Sequence, residues 1–159
     1  MTAKPQLMLL GLGQINTRVS EGLANEFDIM AVSRMPKNIS SAQHIPLNLL
    51  NDDLSALKET DYIVFCLTPS SYDEAGYRQT YVDCLSRVLN HYRQHPPKHF
   101  LFISSSSVYG QNQDEWVDES SATVPRSFSG RIIVEAEKML SASIRCLWVL
   151  LGRIGMRVI

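Results

Sequence analysis

The sequence has few cysteines, no excess of positive charge and no long apolar run. Its three cysteines, Cys66, Cys84 and Cys146, are odd in number, unequally spaced and set in apolar segments. That argues against a disulfide or metal framework and reads as buried, reduced thiols. Fifteen Lys and Arg stand against 16 Asp and Glu, and no basic block is interleaved with aromatics. A protein that displaces counterions from a phosphate backbone needs such an excess, so nucleic acid is not expected as a partner. No apolar run approaches the roughly 20 residues that cross a bilayer, and Met1 to Pro5 leads straight into a strand-like run without the layout of a signal peptide. A cytoplasmic protein with no membrane partner is expected. What is present suffices for one domain, since a chain of 159 residues buries about 70% of its unfolded surface.

Short apolar runs alternate with helical patterns along the chain. Gln6–Leu10, Asp28–Val32, Asp61–Leu67, His99–Ile103 and Ile144–Leu151 are nearly continuous apolar runs, as in parallel strands covered on both faces. Ile45–Leu47 adds a further short strand despite Pro46. Ile15, Val19, Leu23 and Phe27 recur every four residues, and Tyr77, Tyr81, Leu85, Val88 and Tyr92 predict a long helix ended by Pro96-Pro97. Leu50, Leu54 and Leu57 predict a shorter helix, with Asp52-Asp53 as its cap. The polar stretch Gly110–Ser129 reads as a long loop, in which Trp116 sits among Asp114, Glu115, Asp118 and Glu119. The expected fold class is therefore α/β, a Rossmann-type doubly wound parallel sheet in three layers, with residues 1–159 forming a single domain.

The first strand runs into Gly11-Leu12-Gly13-Gln14-Ile15-Asn16 and then a helix. In that setting Gly11 permits the tight turn, Gly13 lets the backbone approach a pyrophosphate, and the N–H groups of Gln14 and Ile15 at the helix start face the anion. Asn16 stands where a third glycine would allow close packing of helix on strand, so it must either displace the helix or hydrogen-bond locally. At the end of the second strand, where a carboxylate would bind the ribose of NAD, the chain has Ser33-Arg34. A guanidinium and a hydroxyl suit a 2′-phosphate, so NADP is expected in preference to NAD. The alternative for Arg34 is a solvated residue at a strand end. Leu67 and Thr68, before Pro69, would border the cofactor from the next strand.

The run Phe100 to Gly110, FLFISSSSVYG, places four serines directly after an apolar strand. Each hydroxyl needs a partner if buried, and at a strand's carboxyl end it faces the ligand crevice. Together, the glycine loop, SSSSVYG and the downstream GRIIVEAEKML resemble the extended short-chain dehydrogenase/reductase family, the NAD(P)-dependent nucleotide-sugar epimerases and dehydratases. The resemblance implies that Ser105, three residues before the Val of VYG, assists catalysis, with Ser104 beside the cofactor. It also implies a tyrosine and a lysine spaced YxxxK, as acid/base and cofactor clamp. Matching Glu135 to the family's glutamate places Ser127 on the tyrosine and Arg131 on the lysine, and a shift of one residue brings Phe128 into place instead. The pattern is similar to the atypical, tyrosine-lacking branch of the family. Neither a serine alcohol nor a phenyl ring replaces a tyrosinate near neutral pH. Tyr109 is a candidate substitute, and its other reading is packing.

Family members continue into a substrate-binding lobe that has no counterpart in Cys146 to Ile159, CLWVLLGRIGMRVI. The apolar Ile154, Met156, Val158 and Ile159 would then favour a homodimer. His91 and His95 sit four apart without a third ligand, and a helix C-terminus explains them as well as zinc does, so no metal is expected. The readings that remain are an NADP-binding protein of the epimerase/dehydratase type with a nucleotide-sugar substrate, in which Ser105 and Arg131 are the catalytic candidates; a non-catalytic nucleotide-sensing or interaction module; and a truncated remnant.

Overall fold

The computed structural model describes residues 3–113, 115–118 and 120–143, and the backbone of residues 156–157. Five parallel strands form the central sheet: β1 (Gln6–Leu10), β2 (Asp28–Ser33), β3 (Gln43–Pro46), β4 (Tyr62–Phe65) and β5 (His99–Phe102), in the order β3-β2-β1-β4-β5. Their apolar residues alternate between two layers. Met8, Leu10, Met30, Val32, Ile63, Phe65, Phe100 and Phe102 point to one face, whereas Leu7, Leu9, Ile29, Ala31 and Val64 point to the other. Because both faces of the central strands are covered, β1, β2 and β4 read as nearly continuous hydrophobicity rather than alternation.

The first face is covered by a helical run in three parts, α2 (Glu74–Arg78), a π turn (Gln79–Asp83) and α3 (Cys84–His91), together with α4 (Phe128–Ser143). Leu85 and Val88 from α3 and Ile133, Ala136 and Leu140 from α4 enter the same core cluster. The second face is covered over β1 and β2 by α1 (Gln14–Leu23), through Val19, Leu23 and the following Phe27. Among the described residues the remaining strands are a two-residue antiparallel pair, β6 (Trp116–Val117) with β7 (Met156–Arg157).

The parallel sheet with flanking helices is the α/β fold that the alternation implied. One expected element is different. The stripe Leu50, Leu54, Leu57 is a turn with a single 3-10 segment at Leu54–Ala56, capped by Asp53, whose carboxylate accepts from the Ser55 amide at 3.0 Å. Leu54 and Leu57 are buried as a helical stripe would be, but Asn48 and Asp52 tie up the backbone before them: the Asp52 carboxylate accepts from the Asn48 amide at 2.7 Å. Side chains that bond local amides compete with helix formation. Pro46 ends β3, which lies at the sheet edge, where a missing N–H leaves no gap in the ladder. The expected strand Ile144–Leu151 lies outside the described residues, as do Cys146, Asp114, Glu119 and the side chains of the last residues.

At the amino-terminal ends of the strands, Asp61 accepts from the Gln6 amide at 2.8 Å and pairs with Lys98 at 2.7 Å, so one carboxylate links the starts of β1, β4 and β5. The Lys98 ammonium, with the Gln6 amide, holds the Asp61 carboxyl below the usual carboxylate range. At the opposite ends, α4 comes against the 3-10 turn Ser106–Val108 at Gly130. A Cβ there would lie 2.0 Å from the Ser107 carbonyl oxygen and 2.6 Å from Pro125 Cβ. Gly130→Ala is expected to lower stability by about 2 kcal/mol or more, because backbone has to move to admit the methyl group. Thermal denaturation followed by circular dichroism checks this, and an unchanged Tm would show that α4 does not pack so closely.

Candidate functional site

β1 pairs with β2 on one side and β4 on the other, and the strand order reverses between β1 and β4. Ligands of open α/β sheets bind outside the carboxyl ends of strands at such a point. A cleft of about 520 Å³ lies there, lined by the glycine loop, the ends of β2 and β4, the segment after β3 and the π turn. Gly11 leaves β1 with φ of +91°, and a Cβ on it would sit 2.2 Å from the Cys66 carbonyl oxygen. Only glycine satisfies both demands. Gly13 caps α1 without a side chain, so nothing from the cap residue occupies the amides of the first turn.

Asn16 keeps the helix in place by local bonding. It is fully buried, and its Nδ2 donates to the Gly11 carbonyl at 2.6 Å and the Leu10 carbonyl at 3.4 Å, while its Oδ1 has no partner among the described residues. The amide thus stitches α1 to the strand end that a third glycine would merely approach.

Gly11, Gly13, Ser33, Arg34, Leu67 and Thr68 all line this one cleft. Gln14 opens α1 without lining it, and Ile15, 49% exposed, lines instead an apolar groove of about 330 Å³ on the second sheet face, floored by Val64, Leu101 and Ile103. Ser33 is engaged locally: its Oγ donates to the Met35 carbonyl at 2.8 Å and bonds His44 Nε2 at 2.8 Å, fixing the turn that presents Arg34. The cleft also takes in residues that motif spacing did not flag, chiefly Lys37, Asn48 and Thr80. Lys37 donates from Nζ to the Leu12 carbonyl, between the two glycines. No carboxylate lines the cleft among the described residues.

The serine run and α4 form a separate cluster. Ser105 Oγ accepts from the Ser107 amide at 3.2 Å, capping the 3-10 turn. Ser104 Oγ donates to Glu137 on α4 at 2.5 Å. Burial pushes the Glu137 carboxyl above its usual pKa, and the Ser104 hydroxyl offsets part of that. Ser127 Oγ accepts from the Gly130 amide at 3.1 Å, the position of a helix cap, and Phe128 packs edge-to-face on Tyr77 at 5.6 Å. Arg131 donates to the Arg126 carbonyl at 2.9 Å, and Tyr109 donates from its hydroxyl to the Asp118 carbonyl at 3.0 Å. Glu135 forms a two-pronged pair with Arg78. None of these groups lines the cleft.

Burial raises the Cys66 thiol pKa and pushes Cys84 to about 11, so neither cleft thiol is a thiolate near neutral pH. His91 bonds the Leu57 carbonyl at 2.8 Å and His95 pairs with Glu59 at 3.4 Å. Among the described residues no group of three metal-ligating side chains is present, and no helix is long and apolar enough to cross a membrane.

The fold recurs in solved structures. UDP-galactose 4-epimerase superposes with a TM-score of 0.78 at 21% identity, over 91% of this chain and 55% of that one. UDP-glucuronic acid 4-epimerase from Bacillus cereus, in complex with NAD, gives 0.76 at 19% identity, again over 91% of this chain and 55% of that one. The fold is that of the NAD-dependent UDP-sugar epimerases, and the chain resembles the extended short-chain dehydrogenase/reductase family. An uncharacterized UDP-glucose epimerase of Bacillus subtilis (strain 168), YtcB, is 33% identical over 99 residues, which is 58% of this chain and 31% of that protein. The chain thus spans 31% of that relative and about half of the solved structures. No family model matches it.

Two substitutions probe this region. Asn16→Ala is expected to cost about 1–3 kcal/mol, since it removes a buried donor from two carbonyls. Urea denaturation reads the loss, and an unchanged midpoint would show that Asn16 is not the stitch. Glu137 binds its proton more tightly in the folded chain than in the unfolded one. The native state therefore binds more protons as pH rises from the ordinary glutamate value through the folded one, and stability falls across that window. Glu137→Gln is expected to remove this decline. Tm measured from pH 4 to 7 on both proteins checks it, and parallel curves would contradict it.

Proposed function

We propose that the chain binds a dinucleotide in this cleft, with NADP preferred and NAD the alternative. The observation that carries the reading is one cleft holding an uncapped helix start, a glycine turn of positive φ, two cations and no carboxylate among its described lining residues. Amides at the start of α1 are free to meet a pyrophosphate, and Gly11 with Gly13 leaves the room it needs. Arg34 stands where a carboxylate would select the free ribose of NAD, and a guanidinium suits a 2′-phosphate there. The similar Bacillus cereus structure was solved with NAD, which supports the dinucleotide class, whereas the preference for NADP rests on this chain's Arg34. The groups fit the cofactor: Gly13 and the first turn of α1 for the pyrophosphate, Arg34 for the ribose phosphate, Leu67 and Thr68 for the wall beyond.

A bound nicotinamide supplies hydride transfer. For an epimerase or dehydratase acting on a nucleotide sugar, a protein group must also exchange a proton with the substrate hydroxyl. Ser105 and Arg131 are the residues on which any such turnover would rest. A second reading, a non-catalytic nucleotide-sensing or interaction module, is favoured by Ser127 and Phe128. The first is used as a helix cap and the second as a packing ring. Neither is a proton acceptor near neutral pH. A cytoplasmic location, a single domain over residues 1–159 and a homodimer belong to the same proposal.

Calorimetric titration of NADPH and NADH into the wild-type chain and Arg34→Ala is the test. NADPH is expected to bind about tenfold or more tighter than NADH, a preference of the size one charge-assisted contact provides, and Arg34→Ala to abolish that preference. No binding of either cofactor would overturn the reading. Turnover of a UDP-sugar, abolished by Ser105→Ala, would overturn the non-catalytic version.

A further inference from the structure

The segment after β3 forms one wall of the cleft, which Leu47, Asn48, Leu49, Leu50 and Asn51 all line. Its amides are satisfied within a single turn. The Asn48 carbonyl accepts from the Asn51 and Asp52 amides at 3.2 and 2.9 Å, while the Asp52 and Asn48 side chains accept from the amides of Asn48 and Leu50. A continuing helix would give the Leu49 and Asp52 carbonyls an amide four residues on. Here one side chain of α3 takes both. Arg87, half-buried, donates from Nε to the Leu49 carbonyl at 2.8 Å and from Nη2 to the Asp52 carbonyl. Two further bonds join the end of α3 to the same segment, from His91 to the Leu57 carbonyl at 2.8 Å and from the Tyr92 hydroxyl to the Lys58 carbonyl at 2.9 Å. Leu57 and Lys58 lie off the cleft lining, so only the Arg87 bonds reach its wall.

We propose that Arg87, which does not itself line the cleft, is a positioning residue for the nucleotide: by holding the Leu49 and Asp52 carbonyls from α3, it keeps the Leu47–Asn51 wall in the form on which adenosine packs. The inference rests on the nucleotide reading of the cleft and adds to it a residue outside the lining. The helical run that carries Arg87 also places Thr80 and Cys84 on that lining, so the guanidinium ties together two of its walls. The Leu47 amide donates to the Ser33 carbonyl at 3.1 Å, which sets the wall beside the turn that carries Arg34 and hence at the adenosine end. A planar guanidinium presents several donors in a fixed fork and holds two carbonyls three residues apart, whereas an ammonium is a single point. Without that grip the ligand has to order the wall as it binds, and affinity falls by that cost.

The test titrates ADP and inorganic pyrophosphate into the full chain, Arg87→Met, Arg87→Lys and Tyr92→Phe, with Tm recorded for each. Pyrophosphate reads the glycine loop alone, and ADP reads the loop and the wall together. The wild-type chain is expected to bind ADP about tenfold or more tighter than pyrophosphate, and Arg87→Met to lose most of that preference while its pyrophosphate affinity stays within about twofold. Arg87→Lys is expected to lose it as well, because one ammonium cannot hold both carbonyls. Tyr92→Phe removes a bond of the same helix to the same segment away from the cleft, and is expected to lower Tm with the preference unchanged. A preference that survives in either Arg87 variant overturns the proposal. Equal weakening of both ligands also overturns it, as does a Tyr92→Phe chain that loses the preference, since Arg87 would then serve only general stability. A wild-type chain that binds pyrophosphate without preferring ADP overturns the role of the wall and leaves the anion site standing, whereas one that binds neither overturns the nucleotide reading itself.

Discussion

Everything in the candidate site depends on the close approach of Gly11 to the end of β4. The chain leaves β1 with positive φ and its α-carbon against the Cys66 carbonyl, where no side chain has room. From Gly11 the chain passes through Gly13, also on the cleft lining, into α1, which begins at Gln14. Gly11 lies where β1 and β4 run side by side at the reversal of strand order, on the lining of the cleft. A methyl group there would force the two strand ends apart, and the start of α1 with them.

Around that point, the residues that depart from the family pattern fall into two kinds. Asn16 departs but keeps α1 on the β1 exit, because its amide bonds two carbonyls there. Ser127 and Phe128 depart and serve local structure, since one caps α4 and the other packs on Tyr77. Arg131, in the lysine's place, spends a donor on the Arg126 carbonyl. Tyr109, the candidate substitute for the missing phenol, is tied to Asp118 and lies off the cleft lining. The cleft and the Ser127–Arg131 segment are thus separate, the first lined by the glycine turn and two cations and the second held in local hydrogen bonds and packing.

Much of the fold was legible because parallel strands buried on both faces write themselves as apolar runs. β1, β2, β4 and β5 each fall within or beside a run identified from the sequence, and the glycine loop was found where strand met helix. The helix over Leu50 to Leu57 was misread because its leucines are buried at helical spacing although Asn48, Asp52 and Asp53 bond the local amides. Periodicity reports burial and not backbone conformation. Within the site, Gly11, Gly13, Ser33, Arg34, Leu67 and Thr68 were legible from motif position. Lys37 was not, because it enters from a turn with no periodic pattern and meets the cleft only through its long side chain. The bond between Ser104 and Glu137 was equally invisible, as it joins positions 33 apart through tertiary packing.

The central claim is that one anion-binding cleft, organised by Gly11, is the working surface of this chain. The most direct measurement is a backbone amide NMR titration of the full chain with NADP. Shifts concentrated in Gly13 to Asn16, Ser33 to Lys37 and Leu67 to Ser70, with the apolar groove beside Ile103 undisturbed, are the expected result. Saturating cofactor with no shift in the glycine loop, or with shifts confined to the other sheet face, would contradict the claim.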